Sequence, residues 1–340
     1  MQYSNLVVCS SGGKEKNFHN YIFEYYKINP EDTKIIEVEN YPDPLMLMDL
    51  INLLKKFEFK NIFSIGGGSV LDTAKILSAF LNIKESLSLS DLENYKKYLK
   101  LGKKIRLTSI PTTCGTGAEV TQFATVWDRA QLKKYSIDHP NLLPDEFLLD
   151  GKLLDSLNYN NFLFPALDCV SHTIESIWNK NRTEESLEFS KNSLNIIKDE
   201  IFNFTNSNFK NVNFDKMLLA SNYAGKAINI TRTSIAHAIS YKYTLEHDVP
   251  HGLACSFTLP KIHQYTLNNL NDDIYSDFAN TIDLILNQIL NLDLNSLIKN
   301  FTMGNKVIFL ENDINLSRSN TFIGDVTPQF INSIINWIKS

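Results

Sequence analysis

Residues 61–75 read NIFSIGGGSVLDTAK, and this stretch decides the architecture. Residues 61–65 form a short apolar run that reads as a strand. Gly66, Gly67, Gly68 and Ser69 follow at once, and residues 70–81 carry apolar side chains at helical spacing. Consecutive glycines let the backbone come close to an anion. The helix start adds unpaired N–H donors and a partial positive charge. Ser69 suits a helix cap or a phosphate contact. The pattern is neither G-x-G-x-x-G nor a Walker loop, and taken alone it fits a structural turn as well.

Upstream, residues 6–9 form a short strand that breaks at Ser10-Ser11-Gly12-Gly13 into a loop. Residues 18–26 read as a helix, 34–38 (KIIEV) as a strand and 45–57 as an amphipathic helix. Downstream, the charge-rich segment 84–104 reads as a solvated surface helix and loop, 104–111 as a strand and 123–147 as a β-hairpin excursion. Strands alternating with helices predict a parallel sheet covered on both faces. From residue 162 onward the texture is almost wholly helical. We expect a boundary near 158, with an α/β domain over 1–158 and an all-α domain over 159–340 that packs directly against it, leaving a cleft.

The bulk properties exclude some partners. The chain has 340 residues, 43% apolar and 21% charged, enough for two interiors of ordinary globular type. A net charge of −5 argues against a nucleic-acid or membrane surface, since both need a basic excess. No apolar run approaches a membrane span, and the start MQYSNLVVCSSGG lacks a secretory leader. Cys9, Cys114, Cys169 and Cys255 contain no C-x-x-C pair, which suits free thiols and a cytoplasmic location.

Two further segments carry chemistry. Residues 110–121 (IPTTCGTGAEVT) are dense in glycine and hydroxyl groups, so Thr112, Thr113 and Thr116 are candidates to bind phosphate, ribose or carboxamide. Asp168 and His172 are four apart in a helical stretch and share one face. His237 lies in a second helical pattern, and His251 follows Val249-Pro250 and precedes Gly252 at a tight turn. One carboxylate with three imidazoles suits Fe2+ or Zn2+, and an open position there would polarise a carbonyl. Singly, each residue fits a structural role equally well.

Together, GGGSVLDTAK at 66–75, IPTTCGTGAEVT at 110–121, DCVSHTIES at 168–176 and the IAHAISY…VPHGLA segment at 235–254 resemble, in order, the iron-containing (group III) alcohol dehydrogenase family. That family's fold is shared with dehydroquinate synthase and glycerol dehydrogenase. The resemblance implies an N-terminal doubly wound nucleotide-binding α/β domain, an all-α C-terminal domain of dehydroquinate synthase-like type, and a homodimer or larger homo-oligomer. It implies a pyrophosphate loop at Gly66, Gly67, Gly68, Ser69 and Asp72, a nicotinamide-side loop at Thr112, Thr113 and Thr116, and metal ligands Asp168, His172, His237 and His251. The implied reaction is reversible hydride transfer between NAD(P)H and a small aldehyde.

Two departures from the family pattern shape the finer expectations. A His common four residues after the third ligand is Tyr241 here, so Tyr241, His247 or a water chain would relay the proton. The first strand ends at Ser10 without the acid of NAD-preferring members. That leaves room for a 2′-phosphate beside Lys14 or Lys16 and favours NADP(H) over NAD(H). The stretch 226–233 and the segment ACSFTLP at 254–260 are similar to phosphonoacetaldehyde reductases, which points to an anionic aldehyde reduced to 2-hydroxyethylphosphonate. Arg232, Lys226, Thr231 and Arg318 are then the candidate phosphonate ligands. The alternatives are a general alcohol or lactaldehyde-type dehydrogenase, and a dehydroquinate synthase-like metal lyase.

Overall fold

In the computed structural model of the chain, strand β3 (Asn61–Gly66) is the centre of a five-stranded sheet of order β2-β1-β3-β4-β7, parallel at every pairing. The other members are β1 (Asn5–Ser10), β2 (Thr33–Val38), β4 (Arg106–Pro111) and β7 (Glu146–Phe147). The described residues are 3–38, 41–85, 87–99, 104–205, 209–304, 307, 309 and 316–336. Leu6, Val7, Val8 and Cys9 of β1 are all buried, as a strand with both faces covered requires.

The segment after β1 differs from expectation. Instead of a loop, Ser11–Glu15 forms a short helix α1, and the Ser10 hydroxyl accepts the Gly13 N–H at 3.1 Å. A side-chain cap of this kind starts a helix that the two glycines disfavour. Helix α2 (Phe18–Tyr26) and helix α3 (Pro44–Leu54) follow. The Asp43 carboxylate caps α3 by accepting the Leu45 N–H at 2.8 Å.

Helix α4 (Gly68–Phe80) begins inside the glycine turn rather than at Val70, with extended Gly67 as its cap. It is buried along most of its length, and its Lys75 is fully enclosed. The Lys75 ammonium donates to Thr121 Oγ1 (2.8 Å) and the Phe123 carbonyl (2.9 Å), and lies 3.3 Å from Asp72 Oδ1. Asp72 Oδ2 accepts the Thr125 N–H at 2.8 Å. Burial pushes the Lys75 ammonium down and the Asp72 carboxyl up, and each partly offsets the other. This pair anchors the antiparallel hairpin β5 (Phe123–Asp128) and β6 (Lys133–Asp138) to α4. The hairpin therefore ends at Asp138, whereas residues 146–147 join the main sheet beside β4. Within the 84–104 segment, helices α5 (Leu89–Glu93) and α6 (Lys96–Leu99) form, while residues 86 and 100–103 lie outside the described residues.

The helical part begins with α7 (Tyr159–Ile177), whose first turn is capped by the Asn158 side chain accepting the Asn161 N–H. It continues through α8 (Glu184–Thr205), α9 (Phe214–Thr231), α10 (Ile235–His247), α11 (His251–Ser256) and α12 (Leu259–Asn269). Helices α13 (Asp273–Leu290), α14 (Leu294–Phe301), α15 (Leu316–Ser319) and α16 (Pro328–Asn336) complete it. Small hydroxyl residues let α7 and α8 approach closely, with Thr173 paired to Ser193 (2.7 Å) and Ser176 to Ser190 (2.6 Å) in the dry interface. None of the described helices is long and apolar enough to cross a membrane.

The chain divides into two compact units, Met1–Thr113 with Ala118–Asp150, and Cys114–Gly117 with Gly151–Ser340. The changeover at Asp150 precedes the expected boundary at 158, and the four residues from Cys114 to Gly117 belong with the helices. Gly117 shows why. Its φ is +58°, and a Cβ there would come within 2.5 Å of Gly225 Cα and 2.8 Å of the Ser221 carbonyl on α9. Only glycine lets this loop lie so close against the helix.

Candidate metal centre

Helical spacing puts Asp168 and His172 on one face of α7, as i, i+4 geometry requires. His237 comes from the first turn of α10, and His251 opens α11 directly after Pro250. Gly252 makes the approach possible, because a Cβ there would meet the Phe164 carbonyl oxygen at 1.8 Å and Asp168 Cβ at 3.1 Å. At Gly252, α11 thus comes against the α7 backbone, and His251 is delivered beside Asp168.

The donor atoms converge. Asp168 Oδ1 lies 3.4 Å from His237 Nε2 and 3.6 Å from His172 Nε2. The His172 and His237 rings stack at 4.7 Å, and the His251 ring stands edge-on to His237 at 5.3 Å. Asp168, His237, His251 and Cys255 each present one donor atom, and these four atoms all lie within 4.8 Å of one another. Asp168 Oδ1 and His237 Nε2 are buried without a hydrogen-bond partner. Such orphans are costly unless an ion satisfies them. Two donors on one tetrahedral ion at about 2.0–2.1 Å stand roughly 3.3–3.4 Å apart, which the Asp168–His237 distance matches and a hydrogen bond does not. The residues present therefore fit a divalent ion.

The outer nitrogens are already committed. His172 Nδ1 faces the Gly115 carbonyl at 3.2 Å, and His237 Nδ1 faces Glu175 Oε2 at 2.5 Å. With each Nδ1–H donating outward, Nε2 is the nitrogen each ring turns toward a metal, and at His237 an ion would displace a proton from it. Glu175 is buried and also accepts the His237 backbone N–H through Oε1 at 3.1 Å. Burial alone would raise its carboxyl, but His237 and these N–H donors outweigh it and hold the carboxyl below its ordinary range. Burial likewise opposes ionisation of Asp168, yet the surrounding histidines keep it a carboxylate. Burial lowers His172 to about 4, so it stays neutral, which is the ligating form. His237 is held well above its usual range. Burial opposes this shift, and Cys255, Glu175 and Asp168 produce it. Burial pushes the Cys255 thiol up, and His237 opposes that shift. Sequence reasoning missed Glu175 and Cys255. Glu175 sits in the quoted 168–176 segment, one helical turn beyond His172, and that spacing is the signal that could have marked it.

The remaining candidates are distributed as follows. The Tyr241 ring stacks on His251 with centroids 6.4 Å apart. His247 closes α10 ten residues beyond His237, about 15 Å along the axis, and its ring neighbours Tyr243. Arg232 ends α9 with φ 67° and ψ 171°, a backbone conformation rare outside glycine, and its guanidinium donates to the Asn229 carbonyl. The Thr231 hydroxyl reaches the Ala227 and Arg232 carbonyls, and the Lys226 ammonium lies over the Phe189 and Tyr223 rings. Thr321 Oγ1 sits 2.7 Å from the Arg318 carbonyl and 3.1 Å from the Thr233 carbonyl, so the segments carrying Arg318 and Arg232 are neighbours.

Of the candidate cofactor residues, Ser10, Gly66, Gly67, Gly68, Ser69, Asp72, Thr112 and Thr113 lie in the first unit, and Thr116 in the second. The Thr112 N–H donates to the Gly66 carbonyl at 2.9 Å, and the Thr113 side chain lies against Gly67. The two loops therefore meet at the C-terminal ends of β3 and β4, where open α/β sheets bind ligands. Asp72 differs from this group, since both its oxygens serve Lys75 and the β5 backbone. The Lys14 side chain lies outside the described residues.

A parallel α/β unit ahead of a helical unit that gathers a carboxylate and histidines is an architecture that metal-dependent dehydrogenases share with their relatives. The chain belongs to the iron-containing alcohol dehydrogenase family. Residues 2–151 match the family's iron-containing alcohol dehydrogenase model, and residues 164–301 match its C-terminal model. Phosphonoacetaldehyde reductase of Streptomyces viridochromogenes is 27% identical over 70% of this chain and 61% of its own length. NADPH-dependent butanol dehydrogenase of Clostridium saccharobutylicum is 25% identical over 82% of this chain and 71% of that protein. The bifunctional aldehyde-alcohol dehydrogenase of Escherichia coli is 28% identical over 70% of this chain, but only 28% of that protein is matched. The match thus spans less than two thirds of the first and the last of these relatives. Among solved structures, an iron-containing alcohol dehydrogenase from Thermotoga maritima has a TM-score of 0.77 at 23% identity, covering 98% of this chain and 91% of its own. Sulfoacetaldehyde reductase from Bifidobacterium kashiwanohense, in complex with NAD+, has a TM-score of 0.78 at 18% identity, covering 100% and 92%. Both show the fold.

Proposed function

We propose that this chain is a metal-dependent NAD(P)H oxidoreductase that interconverts a small aldehyde and its primary alcohol, and that its aldehyde is phosphonoacetaldehyde, reduced to 2-hydroxyethylphosphonate. The observation that carries the reading is the pair of buried, unpartnered donors Asp168 Oδ1 and His237 Nε2 beside His172 and His251. When bound, the ion would polarise the substrate oxygen and the nicotinamide would exchange hydride with the carbonyl carbon. Glu175 and the Gly115 carbonyl orient the rings of His237 and His172. Tyr241, stacked on His251, is the phenol that passes a proton to the substrate oxygen, with His247 at the end of α10 as the alternative relay.

The anionic substrate is supported by the similarity to a phosphonoacetaldehyde reductase and by the Arg232 segment just ahead of His237, which neighbours the segment carrying Arg318. A guanidinium has donors enough to cap α9 and still meet phosphonate oxygens. NADP(H) is supported by the Ser10 end of β1, which presents a hydroxyl in place of a carboxylate that would repel a 2′-phosphate. A homodimer or larger homo-oligomer is part of the same reading.

The test is a panel of phosphonoacetaldehyde, acetaldehyde and butanal with NADPH and NADH, run on full-length, metal-restored protein. Charge-assisted contacts to the dianion predict kcat/KM about 10–100-fold higher for phosphonoacetaldehyde. Arg232→Ala should raise KM for that substrate alone, and Tyr241→Phe should lower kcat for all three. Equal rates across the panel would replace this reading with a general alcohol dehydrogenase. Turnover without net NAD(P)H consumption would point instead to a lyase of the dehydroquinate synthase kind.

A further inference from the structure

We propose that Cys255 is a direct ligand of the metal, so that the centre has a mixed nitrogen, oxygen and sulfur donor set. The inference rests on the reading of the cluster as a metal centre and adds a residue to it.

Helix α11 places Cys255 one turn after His251, so both side chains leave the same face. The thiol is fully buried, and its Sγ lies 3.7 Å from each ring nitrogen of His251. With a metal–nitrogen bond of about 2.0–2.1 Å and a metal–sulfur bond of about 2.3 Å, two donors on one ion stand no more than about 4.4 Å apart. The observed separation lies within that reach. Cys255 Sγ belongs to the four donors within 4.8 Å of one another, together with Asp168, His237 and His251. Two members of this set, Asp168 and His237, are only 4% and 2% exposed and each aims an unpartnered atom inward. A buried cysteine with no such neighbours would be a small apolar side chain and nothing more.

Ligation is balanced simply. The Sγ–H bond breaks, its proton leaves to solvent, and the sulfur lone pair forms the bond to the ion with no change of oxidation state. Another described cysteine near the site serves as an internal control. Cys169 follows Asp168 on α7, but its thiol faces Ser193 and Thr173, and it is absent from the converging set.

The experiment is to replace the native ion with Co2+ in the full-length protein, measure bound cobalt, and record the near-ultraviolet absorption. The wild type and Cys169→Ser should show a thiolate-to-cobalt charge-transfer band, and Cys255→Ser should lose it. Cys255→Ser should also bind the ion more weakly, by at least the roughly 10–100-fold seen when an outer partner of a metal ligand is lost. Stoichiometric cobalt in the wild type without the band, or a band that survives Cys255→Ser, overturns the inference. Should Cys255→Ser fail to fold, X-ray absorption of the wild-type zinc form decides: a sulfur scatterer at about 2.3 Å supports ligation and its absence overturns it. Failure of the wild type to bind cobalt or zinc at all would instead overturn the metal-centre reading beneath it.

Discussion

Glu175 shows how much of the proposed metal site lies outside its ligands. Its carboxylate accepts both the backbone N–H and the ring Nδ1–H of His237, which selects the tautomer and aims Nε2 at Asp168. Glu175→Gln preserves shape but removes the charge, and the amide can turn its NH2 toward the ring. We expect metal affinity to fall about 10–100-fold while thermal stability of the ion-free protein changes little. Chelator competition checks the first, and a wild-type metal dissociation constant in the variant would refute the role. The pairing of Asp168 with His172 is legible in sequence because helical spacing states it. Glu175 carries the same helical spacing one turn beyond His172, whereas Cys255 is not legible, since a buried thiol looks the same in sequence whether or not a donor faces it.

At the scale of elements, the strand–glycine–helix reading of residues 61–75 holds, and β1 to β4 are legible from their apolar runs, whereas the two-residue β7 reads in sequence as part of the hairpin. What sequence alone misplaces depends on single side chains. Ser10 caps an unexpected helix, and Asp72 turns from the glycine loop to the hairpin. The family motif groups Asp72 with the pyrophosphate loop, but its bonds to Lys75 and Thr125 tie α4 to β5. Lys75→Met would leave the Asp72 carboxylate without its cation and the Thr121 and Phe123 acceptors without their donor. We expect a loss of about 3–5 kcal/mol in urea unfolding, with part recovered on adding Asp72→Asn. A loss below about 1 kcal/mol, the size of a surface ion pair, would mean the pair is incidental.

At the scale of the molecule, chain order and spatial grouping disagree at one place, the four residues from Cys114 to Gly117. Gly117 is the residue that admits them to the helical unit, and Gly117→Ala brings a Cβ against the α9 backbone in a left-handed conformation. We expect destabilisation of about 1–3 kcal/mol together with weaker metal retention, because Gly115 carries the carbonyl that His172 faces. Metal content unchanged alongside the lost stability would separate the loop from the centre. The feature bears on any attempt to dissect the protein. A single cut at Asp150 yields a C-terminal fragment that lacks the acceptor for His172, while the N-terminal fragment carries that acceptor away. A transplant of the helical unit into another host would need this tetrapeptide as a separate splice, delivered from a loop on the opposite side of the cut.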